Sequence, residues 1–422
     1  MIKVLMYAPV LTRSGYGDHA RDLAYSIIKN SKYELEIYPT NWGNTSWNGL
    51  DTTTEQGKLI ESRIRKSPTP NPDIFIQLTI PNEFVRLGKY NIGITAGIET
   101  DLCKLEWIDG ANNMDMVIGV SEHSIKILKE TKYERVDGDT KQLINSVSLK
   151  PNLRLEVLFE GVDTNVFKKN LAIQDNIRES MSIIKEDFCF LFVGHWLDGD
   201  IGQDRKDVGM LIKSFCEAFK TKPPSTRPAL ILKTSAGSST ITDKYIIYDK
   251  INRITDTVEN APNVYLVHGD LTQEEMNSLY NHPKVKAMVS FTKGEGFGRP
   301  LLEFSTTGKP IIASKWSGQL DFLHPEYNAL LPGQLTPVHP SVVNSWFMKE
   351  AKWFTVDYNY AIRVLQGVHK NYEEYKKLSA KQKKYTESNF TLENMDKKFY
   401  NILDSISLEE PTSFSLPKLK KI

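Results

Sequence analysis

Short apolar runs recur along the chain, each followed by a polar or glycine-bearing turn and then by apolar positions at helical spacing. Ile2–Tyr7, Asp73–Leu78, Tyr90–Ala96, Met116–Val120, Phe188–Val193, Ala229–Thr234 and Ile311–Ser314 read as buried strands, as does the run ending at Val289. After the first strand, Ser14-Gly15-Tyr16-Gly17 forms a turn, and Asp18 reads as the cap of a helix to about Lys29 with Ala20, Leu23, Ala24 and Ile27 inward. Further helices are predicted over Glu122–Glu130, Val208–Phe219, about Thr242–Val258 and Gln273–Asn281. Strand, glycine turn and helix in alternation describe doubly wound α/β domains, whose ligands sit at the carboxyl edge of the strands.

Between these units lie segments without periodicity. Asn41–Lys66 is polar and irregular and carries Trp42 and Trp47, which either stack on a ligand ring or fold back on the surface. Lys132–Lys150 is charged and reads as a surface loop. After Asp321 come a Pro- and His-containing loop and two helices, with Trp346 and Trp353 expected in the core.

The most informative stretch is Ser290–Asp321. A glycine turn, Gly294-Glu295-Gly296-Phe297-Gly298, follows an apolar strand, and Pro300 stands where a helix begins. Gly308 ends that helix before Lys309-Pro310 and the next strand. Glycines let a main chain approach a ligand, and unpaired N–H groups at a helix start favour anions. Glu295 and Glu303 would repel a phosphate standing alone, but carboxylates accept paired hydrogen bonds from a diol. Phosphate held by amides and hydroxyls held by carboxylates describe a sugar nucleotide.

These residues carry a resemblance. Glu295-Gly-Phe-Gly-Arg-Pro-Leu-Leu-Glu303 followed by Gly308-Lys309-Pro310 resembles the E-x7-E motif of GT-B glycosyltransferases of family GT4. Gly161-Val162-Asp163 with Phe167 resembles that family's domain junction, with Glu160 where asparagine is usual. Phe390 to Tyr400 resembles its terminal helix. The resemblance implies an α/β GT-B fold: two doubly wound Rossmann-like domains facing across a central cleft. The expected division is 1–167 on the acceptor side and 168–385 for the nucleotide-sugar, with helix 386–408 crossing back and a tail over 409–422. It also implies sugar transfer with retained anomeric configuration.

Site residues follow from the same resemblance. Glu303 would bind ribose, Glu295 the donor sugar, and the backbone of Gly296, Phe297 and Gly298 sugar or phosphate. Lys206 with Arg205 would neutralise the leaving diphosphate, because this chain has His195 where the family has arginine. Lys233 ends a strand on the ligand edge, and the backbone near Gly269 and Leu271 would meet the base. Gly15, Tyr16 and Gly17 would approach the diphosphate from the other domain, or form a plain tight turn. Where many family members carry a histidine, this chain has Glu99 and Asp101. Either would orient or deprotonate the acceptor, unless Asp101 caps the helix bearing Trp107.

Composition narrows the partners. Lys+Arg of 53 against Asp+Glu of 52 leaves a formal +1, so no global field draws the protein to nucleic acid, although a modified base remains among the acceptors considered. No apolar run reaches the ~18 residues of a membrane span. Cys103, Cys189 and Cys216 are odd in number and lack metal-ligand spacing, which favours a reducing cytoplasm. GIETD and WSGQLD look similar to virus-encoded members. Asp137-Gly-Asp139 and Asp198-Gly-Asp200 read as turns, so no metal and no cofactor are expected, only a nucleotide-sugar substrate, UDP- or GDP-linked. The alternatives are a nucleotide-sugar epimerase of the same fold and a non-catalytic nucleotide-sugar binder.

Overall fold

The computed structural model describes residues 1–408 except 44, 137–139, 141, 171, 198 and 345. The expected tail, Asp137-Gly-Asp139 and Asp198 therefore lie outside the described residues.

The first half contains β1 (Ile2–Ala8), α1 (Gly15–Lys29), β2 (Tyr33–Pro39), α2 (Glu55–Arg63), β3 (Ile74–Leu78) and β4 (Tyr90–Thr95). It continues through α3 (Leu105–Ala111), β5 (Met116–Gly119), α4 (Glu122–Glu130), the strand pair β6 (Tyr133–Val136) and β7 (Leu143–Val147), and β8 (Arg154–Val157). Its sheet runs β2-β1-β3-β4-β5-β8, every pairing parallel. The second half contains α5 (Asp175–Ser182), β9 (Cys189–Val193), α6 (Val208–Phe219), β10 (Ala229–Lys233), α7 (Ile241–Thr255) and β11 (Val264–Val267). After these come α8 (Gln273–Asn281), β12 (Val285–Ser290), α9 (Arg299–Ser305), β13 (Ile311–Ser314) and β14 (Ala329–Leu331). The second sheet, β11-β10-β9-β12-β13-β14, is also parallel throughout.

In each sheet the strand order reverses beside the first strand, at β1/β3 and at β9/β12. Helices cover both faces of the inner strands, which is why these read as unbroken apolar runs, whereas the edge strand β2 alternates buried Tyr33, Leu35 and Ile37 with more exposed Glu34, Glu36 and Tyr38. Along β9, Phe190 and Phe192 enter one core cluster while Cys189 and Leu191 enter another, the period of two putting neighbours on opposite faces.

Several expectations are corrected. Ser14, not Asp18, caps α1: its hydroxyl accepts from Gly17 N at 3.0 Å, so Gly15 and Gly17 belong to the first helical turn. Lys132–Lys150 holds the antiparallel pair β6–β7 rather than a plain loop. Asn41–Lys66 contains α2. Beyond Asp321 the chain forms the hairpin β15 (Gly333–Pro337) and β16 (Lys352–Val356), then α10 (Tyr358–Lys370), α11 (Tyr372–Asn389) and α12 (Leu392–Asp404). Trp353 is 1% exposed as expected, but Trp346 is 40% exposed and is no core residue.

The helix α12 lies on the first half of the chain, where Met395, Phe399, Ile402 and Leu403 join the core of the first sheet. Its approach is stitched to the junction: Val162 N donates to Phe390 O (2.9 Å) and Leu392 N to Val162 O (3.0 Å). Tyr400 Oη donates to Ser26 O at 2.8 Å. Among the described residues no helix is long and apolar enough to cross a membrane.

Candidate active site

The glycine turn after β12 is held by close approach from both sides. A Cβ on Gly294 would sit 2.2 Å from Glu99 O, one on Gly296 2.7 Å from Ala96 O, and one on Gly318 2.0 Å from Gly296 O. Ser121 Oγ, at the start of α4, donates to Gly296 O at 2.6 Å. The turn is thus pressed between the first half of the chain and the loop after β13. Gly298 takes φ = 100° as it leads into α9, a conformation that an L side chain resists.

α9 has only 7 residues. Its peptide dipoles sum over barely two turns, so charge in the site rests on side chains. Arg205 and Lys206 arrive just before α6 and meet Glu295. Lys206 Nζ bonds Glu295 Oε1, Arg205 Nη1 stands 3.6 Å from Oε2, and the same Nη1 lies 2.9 Å from Glu99 Oε1. Burial alone would raise the Glu295 carboxyl; Lys206 and Arg205 outweigh it and hold it below the usual carboxylate range. Burial and the adjacent guanidinium pull the Lys206 ammonium down from its ordinary value.

What fixes these cations was not visible in the sequence. Lys293, 1% exposed, reaches Asp207 Oδ2 (3.3 Å) and Thr355 Oγ1 (3.1 Å), while Tyr358 Oη donates to the same Asp207 oxygen at 2.7 Å. Lys293 N also donates to Arg205 O at 2.8 Å, tying the end of β12 to the segment before α6. Asp207 itself stands at φ = 54°.

Glu303, one turn along α9, accepts from Tyr280 Oη (3.1 Å) and lies 3.4 Å from Arg299 Nε; burial pushes its carboxyl up to about 7. Arg299, also missed by the sequence reading, spans the two halves: Nη2 is 2.8 Å from Asp22 on α1 and Nη1 is 3.6 Å from Glu160. Burial likewise raises Glu160 to about 7.

The remaining expected residues fall around this centre. His195 Nδ1 lies 3.0 Å from Ser235 Oγ, and burial, with Lys206 and Arg205 nearby, lowers its pKa. Lys233 Nζ donates to Gly269 O at 2.7 Å, and burial lowers that ammonium too; Leu271 packs partly buried against the second core. Tyr16 Oη accepts from Ala96 N at 2.9 Å, with Trp42 stacked on its ring at 3.7 Å. Phe297 is buried against Phe322. Asp101 does not cap α3, whose N-cap is Lys104; it exchanges two backbone-directed bonds with Lys352 of β16, at 2.7 and 2.9 Å. Among the described residues no three His, Cys, Asp or Glu side chains gather to hold a metal ion.

Comparison with protein-family models and with curated proteins gives no match. Solved structures do match in fold. Anabaena Alr3699/HepE in complex with UDP-glucose is 13% identical, with 96% of this chain and 100% of that one covered at a TM-score of 0.62. A glycosyltransferase from Rickettsia africae gives 11%, 95%, 97% and 0.61, and the sucrose-phosphate synthase of Thermosynechococcus elongatus 12%, 96%, 98% and 0.59. These neighbours are GT-B proteins, and this chain has the GT-B fold.

Proposed function

We propose that this protein is a glycosyltransferase that moves a sugar from a nucleotide-sugar donor to a hydroxyl acceptor. The observation that carries the reading is the convergence of Arg205, Lys206 and Glu295 beside the glycine turn, at the β9/β12 reversal where α/β sheets bind ligands. Breaking the bond between anomeric carbon and phosphate oxygen leaves charge on the departing diphosphate. Two largely buried cations, with 19% and 13% of their side chains exposed, are the groups that stabilise it, and with little water around them they act strongly. The acceptor oxygen then bonds to the anomeric carbon, and its proton leaves with the diphosphate.

In this reading Glu295 meets the donor sugar and Glu303 the ribose diol, with Gly296 to Gly298 lending backbone amides. Lys233 and the Gly269–Leu271 backbone border the base. UDP- and GDP-sugars are the donors proposed, UDP-glucose first because the neighbour HepE is in complex with it. Transfer proceeds with retention and without metal, since Arg205 and Lys206 supply the positive charge.

The test is a thermal-shift panel of UDP, GDP, ADP, CDP and TDP with their sugars, followed by release of free sugar. Ligand at about a hundred times its Kd adds about 2.7 kcal/mol, a readily visible rise in melting temperature. A rise for one base family with slow sugar release supports a transferase. Binding without turnover favours a silent binder, and no shift with any nucleotide removes the proposal.

A further inference from the structure

A small, mostly apolar pocket lies beneath Tyr16, at the carboxyl ends of β3, β4 and β5. It has room for about one water-sized group, about 10 Å³, and is lined by Tyr16, His19, Thr95 and Glu160 over an apolar floor that includes Leu78 and Val120. His19 is 3% exposed, and neither ring nitrogen has a hydrogen-bond partner among the described residues. A buried polar atom left unpaired is costly, so such a group calls for a hydrogen-bonding occupant. Burial, with Arg299 nearby, lowers the pKa of His19 to about 3. The ring is therefore neutral near pH 7, with one nitrogen donating and one accepting. A hydroxyl, which both gives and takes a hydrogen bond, is its complement.

The pocket adjoins the proposed reaction centre. Ala96, on its wall, is the residue that presses on Gly296, and Glu160 reaches through Arg299 to Glu303. Room for one water-sized group fits a hydroxyl and not a ring, so the pocket takes a substituent of a molecule whose body lies outside it. Outside it, Trp42 stacks on Tyr16, and Trp346 meets Trp42 edge-on at 6.1 Å. Aromatic faces suit a ring that shows C–H bonds on one side and hydroxyls at its edge. The charges nearby do not favour an anion: the carboxyls of Asp18, Asp22, Glu160 and Glu303 outnumber the guanidinium groups of Arg21 and Arg299.

We infer that this pocket receives one hydroxyl of the acceptor, an uncharged hydroxylated ring whose body lies outside it, a neutral sugar rather than a sugar phosphate, and that His19 takes a hydrogen bond from that hydroxyl. The inference rests on the transferase reading and adds the acceptor's class. It also puts a histidine at the acceptor from α1, whereas the loop after β4 supplies Glu99 and Asp101.

The experiment uses the full chain, UDP-glucose as donor, and as acceptors the methyl glycosides of glucose, galactose, mannose and N-acetylglucosamine, compared with glucose 6-phosphate. Transfer to at least one neutral glycoside in preference to the phosphate is expected. His19→Gln should raise KM for that glycoside about tenfold or more, the worth of one hydrogen bond, while Kd for UDP stays within about twofold. Glu160→Gln, tested beside it in case the first variant folds poorly, should move KM in the same direction. Preference for glucose 6-phosphate overturns the inference, as does wild-type transfer in both variants or loss of UDP binding in step with transfer. A wild-type protein that binds UDP but transfers to none of the four glycosides also overturns it. If the wild type binds no nucleoside diphosphate, the transferase reading itself fails, a result distinct from all of these.

Discussion

Glu99, after the last residue of β4, extends to Arg205 of the other half of the chain, 2.9 Å from its Nη1, and so occupies a cation proposed to hold the donor's diphosphate. Both side chains are about one-fifth exposed, so the pair is screened little and competes with an incoming anion. Glu99→Gln should therefore tighten binding of inorganic pyrophosphate and UDP by about threefold to tenfold, because Arg205 no longer has to leave a carboxylate. Isothermal calorimetry checks the sign, and unchanged or weaker binding would show that Glu99 does not compete.

Lys206 and Glu295 form a more deeply buried pair. Removing one partner of such a pair strands a charge and costs ~3–5 kcal/mol, whereas removing both costs much less. Lys206→Met should lower the melting temperature sharply, and Lys206→Met with Glu295→Gln should recover most of the loss. Both variants should be inactive. Recovery of stability without recovery of activity separates the structural part of the pair from the chemical one.

Glu303 gives a pH test. Its folded pKa of about 7 lies above the ordinary value of 4.5, so the folded state holds its proton where the unfolded chain has lost it. Its contribution to stability is present below pH 4.5 and is lost as pH rises through 7, up to about 3 kcal/mol at 1.36 kcal/mol per unit. Glu303→Gln has no proton to lose, so its melting temperature should gain on the wild type between pH 5 and pH 8. Equal pH profiles would place Glu303 in an ordinary environment. If a ribose diol binds the ionised carboxylate, UDP binding near pH 7 should also release a proton in the wild type and not in the variant.

Turnover should persist in EDTA to within about twofold, because buried cations take the place of a metal at the diphosphate. Loss of activity on chelation with recovery on manganese would return attention to the segment around Asp200, whose carboxyl is 4.0 Å from His339 Nδ1.

The sequence disclosed what is local. The turn Gly294–Gly298 and Pro300 announce a close approach and a helix start through residue types that few other conformations need. The inner parallel strands announce themselves as apolar runs because both faces are covered, while the edge strands β2 and β8 do not. The pair β6–β7 did not, because its strands are only 4 and 5 residues long and lie inside a segment rich in charged and polar residues. Trp346 was misplaced because an aromatic ring shows that area can be buried, not that it is. Pairs such as Glu99–Arg205 and Arg299–Asp22 join distant parts of the chain and leave no periodic trace. Nothing in the spacing along α1 sets His19 apart; only its lack of partners among the described residues distinguishes it.

The two strands of chain that pass between the halves, one at Val162 and one at Phe390–Leu392, are bonded to each other side by side. Two adjacent pins leave a door one axis of swing, whereas a single flexible strap would let it tumble. Any opening of the cleft is then a rotation about that line, with displacement growing with distance from it. Glu160 is two positions before Val162, close to that line, so its contact with Arg299 should change less in such a rotation than contacts farther away.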